Sequence, residues 1–378
     1  MKLSFQEHHL FQILKRFENQ HLPLDLFLSH YFKANKALGS KDRRLIAEAI
    51  YGMTRWKDLI DFLLGTSPTW ENRYAIFKNF QPENYLSVTS IPIHTRVSFP
   101  APLFERLKQN YGIEKAVYLC QICNTPAPTT IRVNPLKTTR ENLYSRWKER
   151  FDISPCESSP LGIQFKKREP FFELPEFKEG LFEVQDEGSQ LVALLVEAKP
   201  GDLVLDFCSG AGGKTLAFAH KLQNKGQIYL HDVREIALEQ ARKRLHRAGI
   251  QNAQTIYCDH PGLEKLKKKM DWVLADVPCS GTGTLRRNPD MKWKFSLEML
   301  QRVQGQQRTI FEKALSFMKP AGKIVYATCS ILQEENEQQV EHFLKTYNLE
   351  LVGKLFYSLP SFGGMDGFFA AVLQKKPA

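Results

Sequence analysis

The chain lacks most of what would place it outside the ordinary globular proteins. Its 378 residues hold only 22 Gly and 20 Pro, with no internal repeat and no low-complexity segment, which excludes a collagen-like protein. No stretch of roughly 18 apolar residues occurs, so no membrane partner is expected. The opening Met1-Lys2-Leu3-Ser4-Phe5-Gln6-Glu7-His8-His9 lacks the apolar run of a signal peptide. Cysteine is sparse, odd in number (7) and scattered, so no disulfide framework is expected and a reducing cytoplasm fits. Acidic groups are also short: 41 Asp and Glu face 52 Lys and Arg, a formal net charge of +11. That surplus is spread as +3 over residues 1–95, +4 over 96–179 and +4 over 180–378. A single basic arm is thereby excluded, and a diffuse positive field favours a polyanionic partner. With 43% hydrophobic and 11% aromatic residues, the chain has material for two or three folded domains.

The first 75 or so residues read as helical. Leu10, Ile13, Leu14 and Phe17 follow the i, i+3, i+4, i+7 stripe, and Ile46, Ile50 and Met53 repeat it after a helix start near Gly39-Ser40-Lys41-Asp42. Pro68, Pro82, Pro92 and Pro100 then mark a linker. A helix is expected over Leu103–Cys123, followed by short strands at Thr130–Asn134 and Gly162–Phe165. Beyond Gly180 strands and helices alternate, as in a parallel α/β sheet. The expected strands are Leu203–Phe207, Gln227–His231, Gln254–Tyr257, Trp272–Ala275 and Lys323–Ala327. Gly249 suits a helix stop, and Ser330 with Gln333 forms a capping box that predicts a helix start there.

Directly after the first of these strands runs Asp206-Phe207-Cys208-Ser209-Gly210-Ala211-Gly212-Gly213-Lys214-Thr215. Small residues at a strand-to-helix turn let the backbone approach a ligand, and Asp232 ends the next strand where an acid can hold ribose hydroxyls. A phosphate-binding P-loop would need glycine at position 208, which is cysteine. An adenosine-containing ligand without a triphosphate fits better, and S-adenosylmethionine is the obvious one. Two cysteines, in Asp276-Val277-Pro278-Cys279-Ser280-Gly281-Thr282-Gly283 and Tyr326-Ala327-Thr328-Cys329-Ser330, each lie just past the C-terminal end of an expected parallel strand. That edge is where open α/β sheets bind ligands. A thiolate that adds to cytosine C6 makes C5 able to attack a methyl donor, and a second group must then remove the C5 proton. Methylation of an exocyclic nitrogen needs no cysteine.

These motifs resemble the RNA 5-methylcytosine methyltransferase family of the bacterial ribosomal small-subunit (16S rRNA cytosine-C5) type. The turn at 206–215, the 276–283 segment with Arg286-Arg287-Asn288-Pro289-Asp290, the 326–330 segment and Asp366-Gly367-Phe368-Phe369 carry the resemblance in that order. It implies Cys329 as nucleophile, Cys279 as the group that aids product release, and Asp276 in contact with the target base and near the cofactor. It also implies that Cys208, Ser209, Gly210, Ala211, Gly212, Gly213, Lys214, Asp232, Asp259 and Asp276 bind S-adenosylmethionine. Ser98-Phe99-Pro100, Arg132-Val133-Asn134 and the 180–189 segment are similar to the family's RNA-binding module and its junction. Lys41-Asp42-Arg43-Arg44-Leu45-Ile46 and Tyr51-Gly52 partly resemble a NusB-like helical domain. Ser209-Gly210-Ala211 stands where the family more commonly has Ala-Ala-Pro. The implied fold is α/β, a Rossmann-like S-adenosylmethionine-dependent methyltransferase domain over 180–378. A small α+β RNA-binding module over 96–179 and an N-terminal helical region over 1–95 precede it. The expected protein is a cytoplasmic monomer acting on RNA, with ribosomal RNA the leading substrate. Transfer RNA or DNA as substrate, or a non-catalytic RNA-binding assembly factor, remain as other readings.

Several residues are assigned plainer parts. Cys120-x-x-Cys123 has no second pair and sits on one apolar helix face, so a core role is expected and no metal site. Arg286 and Arg287, seven and eight residues beyond Cys279, are read as contacts to RNA phosphate. Phe171 and Phe172 are read as core or packing surface.

Overall fold

The computed structural model describes residues 3–377 except 19, 21, 66 and 259. Contacts divide it into two units, Met1–Pro126 with Thr284–Leu300, and Ala127–Gly283 with Gln301–Ala378.

The first unit is helical. Ser4 opens the helix Phe5–Phe17 with a reciprocal cap: its Oγ accepts the Glu7 N–H at 3.1 Å, and the Glu7 carboxylate accepts the Ser4 N–H at 3.0 Å. The stripe of Leu10, Ile13 and Leu14 packs on Leu24 and Leu28 of Leu24–Ala34 and on Ile46, Ile50 and Met53 of Ser40–Arg55. Full burial of each such side chain contributes about 1.5–3 kcal/mol. The Pro-containing stretch expected as a linker is instead partly helical, with Trp70–Phe77, Ile93–Arg96 and a 3-10 turn at Pro82–Asn84. Its anchor is tertiary: buried Arg73 forks onto Asp61 at 2.6 and 2.9 Å and lies 4.4 Å from the Trp70 ring centroid. The single helix expected over Leu103–Cys123 is two, Ala101–Tyr111 and Ile113–Cys123. Gly112 between them has φ +77°, a conformation that glycine reaches without a Cβ penalty. Cys120 and Cys123 are buried in this unit, as a core role requires.

The 284–300 segment folds onto these helices. Lys292, 1% exposed, donates to the Arg55 carbonyl at 2.6 Å, the Ser98 carbonyl at 2.7 Å and Asn124 Oδ1 at 2.7 Å. Burial pulls its pKa down to about 7, while those oxygens and the Phe99 ring 4.5 Å away favour the charged form. Arg286 is equally buried and its carbonyl accepts from Arg55 Nη2 at 2.9 Å. The expectation of a phosphate contact is therefore corrected for Arg286: it belongs to the core of this unit.

The second unit holds two sheets. Strands β1 (Thr129–Val133), β2 (Ile153–Pro155), β3 (Gly162–Phe165) and β4 (Phe182–Val184) form an antiparallel sheet in the order β2-β3-β1-β4. Trp147, Phe165, Phe171 and Phe182 fill its core, whereas Phe172 is 67% exposed. The larger sheet contains β5 (Leu203–Asp206), β6 (Gln227–His231), β7 (Ala253–Ile256), β8 (Met270–Asp276), β9 (Met318–Thr328), β10 (Leu349–Leu351), β11 (Phe356–Ser358) and β12 (Phe368–Lys375). Its order is β10-β12-β9-β8-β5-β6-β7, with β11 on β12. Strands β9 to β7 along this order are parallel and β12 is antiparallel. The five parallel strands overlap those expected from the apolar runs. The order reverses between β5 and β8, and a crevice at such a switch point is the usual ligand site. No described helix is long and apolar enough to cross a membrane.

Candidate active site

The turn after β5 is pinned by its own backbone. Phe207 N–H donates to the Leu274 carbonyl at 2.8 Å and Ser209 N–H to the His231 carbonyl at 2.9 Å, which ties the turn to β8 and β6. Gly212, at φ +75°, precedes the helix Gly213–Phe218, and a Cβ there would lie 3.2 Å from that of Ala241. A Cβ at Gly213 would meet nothing, so the backbone is bare on that side and open to a ligand. Cys208 lies in the same turn, and burial pushes its thiol far above the usual range. A thiol so held is a poor nucleophile.

Acids ring this turn. Asp232, 6% exposed, accepts from Gly210 N–H at 2.8 Å and from Arg234 N–H at 2.9 Å. Burial would raise its pKa, but Arg234 and the two backbone donors outweigh it and the carboxyl lies below its ordinary value. Asp206 is 1% exposed; Oδ2 accepts from Thr215 Oγ1 at 2.7 Å, and buried Oδ1 has no partner. An orphaned acceptor beside a bare glycine backbone suits a ligand that brings a donor or cation, such as the ammonium of S-adenosylmethionine. Asp232 suits the ribose hydroxyls. Asp259, also expected here, lies outside the described residues.

Burial raises the Asp206 pKa to about 7, well above the ordinary carboxylate range. A raised folded-state pKa means stability that is present below the unfolded value and lost as pH rises through about 4 to 7. Asp206→Asn should therefore flatten the pH dependence of stability and gain on the parent above pH 7, by up to about 4 kcal/mol. Urea unfolding at pH 5 and pH 8 measures this, and parallel shifts at both pH values would refute it.

On the other side of the switch point Lys214 pairs with Asp276, the last residue of β8. Burial works against the Lys214 charge, but Asp276 more than compensates and its pKa is raised. Cys279 and Cys329 meet beyond the ends of β8 and β9, with Sγ···Sγ 3.2 Å. The hydrogen bond with Cys329, then burial, holds the Cys279 thiol well above its ordinary pKa. Gly283 N–H donates to the Cys329 carbonyl at 2.9 Å, and a Cβ on Gly283 would lie 2.1 Å from the Gly367 oxygen, so only glycine fits.

The structure thus gathers Cys279, Cys329, Asp276 and Lys214, with Asp232 and the 208–213 turn at the neighbouring strand ends. It also brings in residues that the sequence pattern does not place at this site. Fully buried Glu335 accepts from Ser280 N–H at 2.8 Å, Ser330 Oγ at 2.6 Å and Gln307 Nε2 at 2.9 Å. Ser280 and Ser330 each follow a cysteine, so one carboxyl clasps both thiol-bearing loops. The capping box expected at Ser330 is corrected: its Oγ donates to Glu335 and accepts the Leu332 N–H at 3.0 Å, and the helix Glu337–Thr346 starts later, after a 3-10 turn. Arg132, 2% exposed, donates to Gln185 Oε1 at 2.7 Å and to the Leu216 carbonyl, and Arg244 donates to the Ala211 carbonyl at 2.8 Å. The helix Glu235–Ala248 thereby braces the glycine turn, and strand β1 braces the helix that follows the turn. Arg132 was visible only as part of a motif, and Glu335 carried no local signal. Among the described residues no group of three or more His, Cys, Asp or Glu side chains could hold a metal ion.

Residues 193–374 match the family model described as 16S rRNA methyltransferase RsmB/F, and residues 99–171 match one described as an RsmF/B-like ferredoxin-like domain. Ribosomal RNA small subunit methyltransferase B of Vibrio cholerae is 33% identical over 316 residues, 80% of this chain and 71% of its own. A mouse 28S rRNA (cytosine-C(5))-methyltransferase is 29% identical over 71% of this chain and 35% of its own. A solved methyltransferase homolog protein from Pyrococcus horikoshii covers 75% of this chain and 97% of its own, at 29% identity and TM-score 0.67.

Proposed function

The chain belongs to the 16S rRNA methyltransferase RsmB/F family, and from that premise we propose that it methylates C5 of an unpaired cytosine in ribosomal RNA, with Cys329 as nucleophile. The observation that carries this reading is the meeting of two thiols 3.2 Å apart at the switch point of the sheet, beside the Lys214–Asp276 pair. Covalent catalysis at C6 calls for two such groups, and N-methylation calls for neither. The cytosine must be unpaired or flipped out to reach them.

Cys329 thiolate adds to C6, forming an S–C6 bond and placing electron density on C5. S-adenosylmethionine, when bound by the 208–214 turn with Asp232, Asp259 and Asp276, supplies the methyl group. C5 would take that methyl as the S–CH3 bond breaks and S-adenosylhomocysteine leaves; Cys279, after giving its own proton to solvent, accepts the C5 proton, and the S–C6 bond breaks to restore the ring double bond and the Cys329 thiolate. The hydrogen bond that holds the Cys279 thiol up comes from Cys329. Once Cys329 is bonded to carbon that restraint is relieved, so Cys279 ionises more easily at the stage when a base is needed. Asp276, oriented by Lys214, accepts from the cytosine amino group, a contact that a uracil oxygen would repel. Residues 96–179 serve as the RNA-binding module in this reading, and the protein works as a cytoplasmic monomer.

Bisulfite sequencing of total RNA from cells with and without the gene tests this. The expected result is a protected cytosine in small-subunit ribosomal RNA that becomes convertible on deletion. Loss of protection only in transfer RNA, or none, would contradict it.

A further inference from the structure

Phe362 is 82% exposed, the highest value among the large hydrophobic side chains of the described residues. Single exposed apolar residues are common, but this one lies on a loop whose backbone is tied down on both sides. It sits on the connection between β11 and β12, whose ladder closes with Ser358 opposite Phe368. Ser358 Oγ donates to the Asp366 carbonyl at 2.8 Å and accepts the Phe368 N–H at 3.0 Å. Gly364 N–H donates to the Ser361 carbonyl at 3.1 Å, closing a turn with Phe362 at its first corner and Gly363 at φ +68°.

Both sides of this turn are tied to the substrate-handling parts of the unit. Gly367 N–H donates to the Gly283 carbonyl at 2.9 Å, and Gly283 in turn donates to the Cys329 carbonyl. A Cβ on Gly367 would lie 2.8 Å from the Gly283 Cα, so loop and thiol-bearing segment touch backbone to backbone. On the other side Gln164 Nε2, in β3, donates to the Gly363 carbonyl at 2.7 Å. Lys166, Lys167 and Arg168 follow β3 directly and are exposed; Lys166 pairs with Asp152 at 3.0 Å. An exposed aromatic ring is therefore carried on a loop tied on one side to the thiol-bearing segment and on the other to the strand that leads into a short basic run, the pairing of groups that grips single-stranded RNA through base faces and phosphates.

We propose that the Phe362 ring stacks on an unpaired base flanking the target cytosine, while Lys167 and Arg168 hold phosphates of the same strand. The assignment rests on the reading of the chain as an RNA cytosine-C5 methyltransferase. A ring fixed to the thiol-bearing backbone positions the strand relative to Cys329, and it contributes no chemistry.

The test uses the full chain, in-vitro-transcribed unmodified 16S rRNA and S-adenosylmethionine. Phe362→Ala should weaken RNA binding about tenfold, the scale of losing one base–aromatic stack. Phe362→Trp should restore it and Phe362→Leu should not, with cofactor affinity by calorimetry equal in all three. The double variant Lys167→Gln with Arg168→Gln should lower the slope of log affinity against log salt by about two, a change that Phe362→Ala does not produce. Phe362→Ala binding like the parent, or rescue by Leu as complete as by Trp, overturns the proposal. A parent chain that leaves 16S rRNA unmethylated overturns the underlying reading and the proposal with it.

Discussion

Replacing Cys329 with alanine is expected to reduce methyl transfer to ribosomal RNA by roughly 10⁴-fold or more, the scale of removing a covalent nucleophile. Cytosine C5 has little nucleophilicity of its own, so nothing in the pocket substitutes for the lost S–C6 bond. The fold should survive. Cys329 is half-buried and its neighbours are held chiefly through backbone and through Glu335, not through its sulfur. Cofactor affinity should also survive, because the 208–213 turn is held by Arg244 at the Ala211 carbonyl and by Asp232 at the Gly210 N–H, not by the Cys329 sulfur. Cys329→Ser should be nearly as inactive, since a hydroxyl ionises far less readily than a thiol. Transfer of labelled methyl groups to RNA, measured beside calorimetric binding of S-adenosylmethionine, separates the two effects. Full activity in Cys329→Ala would remove the covalent mechanism.

Replacing Cys279 with alanine should have a different consequence. Addition to C6 and transfer to C5 do not need this thiol in the proposed order, but loss of the C5 proton does. The variant should therefore stall with RNA bonded to the protein and run as a slow-migrating complex on a denaturing gel. Turnover should fall to a small fraction of the parent's, whereas the first methyl transfer persists. Combining Cys279→Ala with Cys329→Ala should abolish the complex. The 3.2 Å separation makes Cys279 the thiol nearest to the expected bonding site, so no other described cysteine is expected to replace it. Cys208 stands in the cofactor turn with its ionisation strongly suppressed, and Cys120, Cys123 and Cys156 are buried. Free RNA at parental rates in Cys279→Ala would assign proton removal elsewhere.

Those thiols were legible in the sequence because each falls immediately after an apolar strand run, and parallel sheets present their strand ends to ligands. The glycine turn and Asp232 were legible for the same reason. The strand runs around Leu203 and Gln227 were legible because buried parallel strands read as short apolar blocks. What escaped depends on contacts distant in sequence. The Arg73–Asp61 fork makes a helix of a stretch whose prolines suggest a linker, and Gly112 splits one amphipathic run into two helices. Arg286 reads as a phosphate contact from its place beyond Cys279, but the 284–300 segment folds onto the N-terminal helices and buries it. Glu335 is the clearest case. A glutamate in the polar run Gln333-Glu334-Glu335-Asn336 carries no pattern, yet it is fully buried and receives donors from both cysteine loops. Burial raises its pKa against the pull of those donors. Ser330 seemed a helix cap because its partner in space, Glu335, lies outside the three-residue window in which capping boxes are recognised.

The most direct measurement of the central claim is peptide mass spectrometry of the complex formed by Cys279→Ala with unmodified 16S rRNA and S-adenosylmethionine, after protease and nuclease digestion. The mechanism predicts one modified peptide, containing Tyr326-Ala327-Thr328-Cys329-Ser330 and bearing a 5-methylated cytidine nucleotide on Cys329. A nucleotide on any other residue, or an adduct that carries no methyl group, would contradict it.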